Sequence, residues 1–194
     1  MTFRRTRCPH CRGKLEPGQR IHPDCIDGYA EAKAAKAERA EEKKARAAAK
    51  VERAETRRRK EAMKTVPQLL REAQQAFNAW VRERDADRPC ISCDAPPPDL
   101  SGLHAGRDAG HYRSTGSASH LRFDADNCHA QCVRCNQWGA GMAVDYRIRL
   151  LLRIGAGRVE ALECNNTPRK WGRDELRGIR DHYRTALKAL KQNT

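Results

Sequence analysis

Apolar residues are unevenly spread along this chain, and their spacing divides it. Leu69, Leu70, Ala73, Ala76, Phe77, Trp80 and Val81 recur at intervals of three and four, the period of one helical face. Thr65-Val-Pro67 marks where that helix begins. The stripe predicts an amphipathic helix packed on a folded domain, with Phe77 and Trp80 in its core rather than free to stack on bases. A second helical pattern holds Tyr146, Ile148, Leu150, Leu151, Leu152 and Ile154 before a break at Gly155. A short piece from Arg158 to Glu163 and a longer helix from about Asp174 to Lys191 follow. Trp171, Leu176, Ile179, Tyr183, Leu187 and Leu190 give the last helix its buried stripe.

Residues 28–64 carry the opposite pattern, being Ala, Glu, Lys and Arg with no Gly or Pro after Gly28. Helix propensity is high throughout, and at 1.5 Å per residue the stretch would extend roughly 55 Å. Its apolar residues are almost all Ala, with Tyr29, Val51 and Met63 as exceptions, so no Leu or Ile seam specifies a coiled coil. It holds 13 Lys/Arg against 7 Asp/Glu, and Arg57-Arg58-Arg59-Lys60 concentrates the surplus. Such a helix either stands in solvent on i,i+4 charge pairs or lies along phosphates. Residues 95–106 are rich in Pro and Gly and predict a loop. Ser114 to His120 predicts another, between strand-like pieces ending at His111-Tyr112 and beginning near Leu121.

Charge adds a partner class. With 39 Lys+Arg against 25 Asp+Glu the formal net charge is +14, which favours a polyanion, although a merely basic soluble protein would share it. Only 39% of residues are hydrophobic and 5% aromatic. That suits one modest domain with extensions: 1–27, 28–64 and 65–194. No apolar run reaches the length of a membrane span, and Met-Thr-Phe-Arg-Arg-Thr-Arg-Cys lacks a signal peptide's apolar segment, so a cytosolic protein without a membrane partner is expected. Nine cysteines in that compartment read as metal ligands and free thiols.

The cysteine spacing is more specific. Cys90-Ile-Ser-Cys93 and Cys132-Val-Arg-Cys135, with 38 residues between the pairs, predict a closed structural Zn²⁺ site. Cys8-Pro-His-Cys11 and His22-Pro-Asp-Cys25 predict a small zinc knuckle with ligands Cys8, Cys11, His22 and Cys25, leaving His10 out. Cys128 and Cys164 remain, expected as buried free thiols. Caught between the central pairs are Asp108, His111, Asn127 and His129, and Asn136 follows the last cysteine. Hydrolysis of a phosphodiester needs a base, for which His111 is suited, and one Mg²⁺ or Mn²⁺, for which Asp108 and Asn136 supply hard oxygen donors. His129 is open to contact with metal or phosphate, or to a structural hydrogen bond. His104 and His120, in loops, are weaker candidates.

This order of residues resembles the HNH (ββα-metal) endonucleases, in which a hairpin supplies a general-base His and the next helix a metal ligand. By that resemblance Asn127 pins the loop carrying the His. Ala73-Gln-Gln-Ala-Phe-Asn-Ala-Trp-Val-Arg-Glu-Arg-Asp85, Pro89-Cys-Ile-Ser-Cys93, Asp108-Ala-Gly-His-Tyr-Arg113, Leu121-Arg-Phe123 and His129-Ala-Gln-Cys-Val-Arg-Cys-Asn-Gln137 resemble the NinG (Rap) recombination proteins of lambdoid phages. That resemblance implies a phage-encoded endonuclease in the bacterial host's cytoplasm, acting on branched DNA such as Holliday junctions or D-loops, as a homodimer and beside other recombination proteins. The expected fold is α+β and mainly helical: a zinc-stabilised HNH-like core, flanking helices, a long charged N-terminal helix and a zinc knuckle.

Two departures from the HNH pattern stand out. Gly110 occupies the place before the His where many such sites have Asp, so a bulge at Gly110 is expected to bring Asp108 and His111 to one metal. Gly139, after Trp138, replaces the common Lys, which leaves Arg113 and Arg134 as the nearest phosphate contacts beside the Arg57–Lys60 cluster. A non-catalytic zinc protein that binds DNA or a recombination partner is the competing reading, and RNA binding a third.

Overall fold

Ile26–Met63 forms one uninterrupted helix, α1, of 38 residues with none buried. Propensity and local charge pairs sustain it: Lys44–Glu41 at 2.7 Å, Arg46–Glu42 at 2.5 Å and Arg59–Glu55 at 3.4 Å. Exposed pairs of this kind add only about 0.3–0.5 kcal/mol each, so the helix rests mainly on its Ala-rich composition. The structure is a computed structural model that describes residues 5–97 and 106–192. It divides into two compact units, Met1–Met63 and Lys64–Thr194. In the first, an isolated bridge pairs Arg7 with Lys14, and a 3₁₀ turn over Pro23–Cys25 leads into α1. Its buried apolar residues are Cys8 and Leu15.

The second unit begins at a helix start written in the sequence. The Thr65 backbone N–H donates to Gln68 Oε1 at 2.8 Å, Pro67 lies in the first turn, and helix α2 runs over Val66–Arg84. Its inward stripe, Leu69, Ala73, Phe77 and Val81, meets Leu176 of α5 (Arg173–Gln192), Phe123, Ala109 and Cys128 in one apolar cluster, with Trp80, Trp171, Ile179 and Tyr183 packed on it. Truncating a buried aromatic such as Phe77 to Ala would cost about 3–5 kcal/mol. A second cluster joins Ile91, Ala118 and Leu121 to Tyr146 and Leu150 of α3 (Ala143–Ile154) and Val159 and Leu162 of α4 (Ala156–Cys164). Gly155 ends α3 and starts α4 at φ 85°, a conformation that strains any other residue.

Between the clusters lies a two-stranded antiparallel ribbon, β1 (Arg107–His111) and β2 (Cys128–Cys132), followed by a π-helical turn over Arg134–Trp138. Ala109 and Cys128 belong to the first cluster, and the Tyr146 hydroxyl donates to the Gly110 carbonyl at 2.9 Å. The second strand therefore begins at Cys128, not near Leu121, which lies in a 3₁₀ turn over Ser119–Leu121. Among the described residues the fold is mainly helical with one small sheet, an α+β arrangement. No helix among them is long and apolar enough to cross a membrane. His104 and most of the loop expected over 95–106 lie outside the described residues.

Candidate metal centres and the polar ribbon beside them

The cysteines converge as two separate quartets. Ligand atoms of Cys90, Cys93, Cys132 and Cys135 all lie within 4.8 Å of one another, as do those of Cys8, Cys11, His22 and Cys25. Four thiolates about 2.3 Å from a tetrahedral ion would stand about 3.8 Å apart; Cys93 Sγ and Cys132 Sγ are separated by 3.8 Å. In the other quartet Cys11 Sγ is 3.2 Å from His22 Nδ1, while His22 Nε2 is 3.0 Å from the Lys14 carbonyl. A backbone acceptor on one ring nitrogen fixes the tautomer and frees the other for an ion. Both donor sets therefore fit zinc, and His10 stands outside them.

The central quartet clamps the ribbon. The Cys132 N–H donates to Cys90 Sγ at 3.3 Å, and the Ile91 N–H to the Ala130 carbonyl at 3.1 Å. Cys135, buried in the π-helical turn, extends the clamp to Asn136. There Asn136 Nδ2 and Gln137 Nε2 each donate to Asp108 Oδ2 at 2.8 Å. Asp108 and Asn136, expected as donors to a hard ion, are thus adjacent. Gln137 joins them and had not been singled out.

His111 is elsewhere. The register Asp108↔Gln131, Ala109↔Ala130, Gly110↔His129 and His111↔Cys128 is unbroken, so the bulge expected at Gly110 is absent, and Asp108 and His111 face opposite sides. Gly110 has no room for a side chain in this register: a Cβ there would lie 3.0 Å from Gln131 Cβ and closer still to Gln131 Oε1. Gln131 is fully buried and held by donation from Nε2 to Ser92 Oγ and to the Gly141 carbonyl, each at 2.7 Å. The His111 ring packs 6.1 Å from Phe77, with Nε2 3.0 Å from the Arg122 carbonyl and Nδ1 3.7 Å from Cys128 Sγ. Burial pushes its pKa below the usual value, keeping the ring neutral at pH 7.

Asn127 ties together the segment after His111. The Arg113 N–H donates to Asn127 Oδ1 at 2.8 Å, and Asn127 Nδ2 donates to the carbonyls of Arg113 and Leu121 at 3.0 and 3.1 Å. His129 is 3% exposed, with Nε2 3.1 Å from the Asp126 carbonyl and Nδ1 3.0 Å from an Arg84 nitrogen. Both ring nitrogens are engaged inside the protein, so a ligand role for His129 is not what this geometry offers.

Its neighbour Asp85, missed from the sequence, is the polar hub of the unit. The carboxylate is fully buried and accepts from Arg84 Nε at 2.9 Å, Arg84 Nη2 at 2.8 Å and the Ala130 N–H at 3.0 Å. Burial raises its pKa, but hydrogen bonds from His129 and Arg84 outweigh that and hold it well below the ordinary carboxylate range. Nothing but its place at the end of the α2 stripe could have flagged it.

The basic candidates separate. Arg113 donates to the carbonyls of Leu162 and Asn165 at 2.7 and 2.6 Å and to Asn166 Oδ1 at 2.7 Å, capping the end of α4 instead of presenting a free cation as expected. Arg134 is exposed, and its pKa is raised by a hydrogen bond to Cys93. Arg57, Arg58, Arg59 and Lys60 are all exposed on α1. His120 Nε2 is 2.7 Å from the Asn165 carbonyl. Cys128 is a buried thiol as expected, raised by burial, whereas Cys164 is exposed: Val159 and Leu162 face the core from α4, and position 164 turns away.

Comparison with known proteins supplies the lineage. The family model described as Bacteriophage Lambda NinG protein matches residues 2–193. Protein ninG of Escherichia phage 933W is 45% identical over 124 residues, covering 64% of this chain and 59% of the relative. Those of Salmonella phage P22 and Escherichia phage lambda are 44% identical over 124 residues, covering 64% of this chain and 58% of each relative. The match thus spans under two thirds of these relatives' length. No solved structure matches. On the nearly full-length family match, this chain belongs to the NinG family of bacteriophage lambda.

Proposed function

We propose that this chain is a metal-dependent endonuclease of phage recombination that cuts branched DNA, Holliday junctions and D-loops, around an HNH-like ribbon. The observation that carries the reading is the state of His111: its Nε2 is committed to the Arg122 carbonyl, and burial keeps the ring neutral. A carbonyl partner of that kind leaves Nδ1 unprotonated, as a general base requires; in the resting structure it faces the Cys128 thiol at 3.7 Å, so the reading needs the ring to turn Nδ1 toward water when DNA binds. Asn127 supports it by tying the backbone at Arg113 and Leu121, which flank the turn after His111. On the other face of the ribbon, Asp108 and Asn136 are the oxygen donors for Mg²⁺ or Mn²⁺. Such an ion would neutralise charge on the phosphoryl oxygens and assist the departing 3′ oxygen. Zinc in the cysteine quartets is structural in this reading, because four protein ligands leave no position for water. A homodimer would present two such sites to a junction.

One observation favours the competing reading, a non-catalytic zinc protein that binds DNA or a recombination partner: the regular ribbon separates His111 from Asp108 and Asn136. The deciding experiment incubates zinc-loaded protein with a labelled four-way junction and Mg²⁺ or Mn²⁺. Wild type is expected to cut; His111→Ala and Asp108→Asn are expected to bind with unchanged affinity and lose cleavage at least a hundredfold. Junction binding without scission by wild type in either metal would establish the adaptor. Cutting by His111→Ala at the wild-type rate would remove the imidazole from the reaction.

A further inference from the structure

The chain has three tryptophans, and they are used differently. Trp80 and Trp171 pack against the first apolar cluster. Trp138 is 82% exposed. It closes the π-helical turn that carries Cys135 and Asn136, so this indole stands two residues beyond the Asp108–Asn136 pair. From this placement we propose that Trp138 is a stacking plate for a nucleobase whose face is open, as at a branch point or in an unpaired strand. The inference rests on the reading of the chain as a branched-DNA protein.

Two features support it. The mount is rigid: Cys135 is buried within the cysteine quartet, and tight backbone bonds close the turn from both sides, Gly139 N–H to the Arg134 carbonyl at 2.8 Å and Gly141 N–H to the Cys135 carbonyl at 3.0 Å. Gly139 is required there, since a Cβ would stand 2.9 Å from Met142 Cγ and 3.0 Å from the Cys135 carbonyl oxygen. With the backbone of the turn tied, only the indole's own two torsions remain to be ordered when a base settles on it.

Second, Arg134 begins the same turn and is also exposed. An indole and a guanidinium on one turn offer a π face and a cation, matching the base and phosphate of a nucleotide. Stacking separates an open base from a paired, continuous duplex in a way that a point charge does not.

The test is a set of titrations of the zinc-loaded full chain, with no Mg²⁺ or Mn²⁺, against a four-way junction, a single strand and a blunt duplex. Trp138→Ala is expected to weaken the first two about tenfold, from the usual strength of base–aromatic stacking, and to leave the duplex within about twofold. The logarithmic salt slope is expected to stay unchanged, since losing an indole releases no fewer counterions. Trp138→Phe is expected to restore most of the affinity, and zinc content and melting temperature to match wild type in both variants. Equal affinity of Trp138→Ala and wild type for all three DNAs overturns the stacking role alone. An equal loss on all three overturns it in favour of a general contact, and dissociation of a dimer by Trp138→Ala would assign the indole to a second copy of the chain. Failure of wild type to bind any of the DNAs would sink the branched-DNA reading and this inference with it.

Discussion

The two cysteine quartets offer similar donors to an ion in very different surroundings. Around Cys8, Cys11, His22 and Cys25 the buried apolar residues are Cys8 and Leu15, and the adjoining α1 buries none. Around Cys90, Cys93, Cys132 and Cys135 stand two apolar clusters and the Asp85 network. In the first setting, a bound zinc would supply nearly all of the free energy that orders the segment, as in small zinc modules that are unfolded without their ion. In the second, a bound ion would refine a unit that packing already favours. The ribbon's geometry would then depend on the central ion more than its existence does.

That contrast can be broken by experiment. The largest effect is expected from Cys25→Ser, which abolishes ordered structure before α1 and removes one of two zinc ions. Zinc titration and amide exchange should show full loss of protection over 7–25, with the melting of 64–194 unmoved; persistent protection would mean that the knuckle folds without metal. Cys132→Ser should lower the melting temperature of the second unit by many degrees and loosen the ribbon while helices α2 and α5 keep their circular dichroism. Complete unfolding would show the two settings to be alike.

A smaller loss, about 3 kcal/mol, is expected for Asp85→Asn, because Arg84 is left without its buried counter-charge. The folded pKa of Asp85 is depressed, so its contribution is present in full above an unfolded value of about 3.9 and is lost progressively as pH falls from there through the much lower folded value. The deficit of Asp85→Asn in denaturant melts should therefore begin to shrink below about pH 5 and go on shrinking to about pH 1; a deficit independent of pH would place the network's value in shape alone. Smallest is a reactivity difference with no stability cost: in zinc-loaded protein, iodoacetamide should modify exposed Cys164 and spare Cys128, which mass mapping of the adducts would check. Rapid labelling of Cys128 would reveal opening of the first cluster.

Helices were legible in the sequence wherever a long stripe or a uniform composition decided them, as in α1, α2 and α5. Both quartets were legible too, because Cys-x2-Cys spacing is a local constraint. The second strand was misplaced because residues 121–127 alternate like a strand while side chains fix them as turns: Asp124 Oδ1 accepts from the Asp126 N–H at 2.8 Å, and Asn127 holds the Leu121 carbonyl. Asp85 was invisible because its partners Arg84, Ala130 and His129 come together only after the ribbon docks on α2. Whether Asp108 and His111 share a face was undecidable locally, since one bulge would reverse it. Cys164 was misjudged because a lone cysteine carries no information about which side of a short helix it occupies.

Gly110 and Gln131 have a consequence for how this lineage can change. They are diagonal neighbours two residues out of opposition on one face of the ribbon, and the glutamine's bulk fills the room that any side chain at 110 would need. An aspartate arriving at 110 alone would collide with a buried neighbour, and a small residue arriving at 131 alone would leave a void and strip Ser92 and the Gly141 carbonyl of their donor. Each single step descends; only the two together cross. The pair is an epistatic lock, and a descendant that gained an acid beside His111 would carry the signature of that crossing in both positions at once.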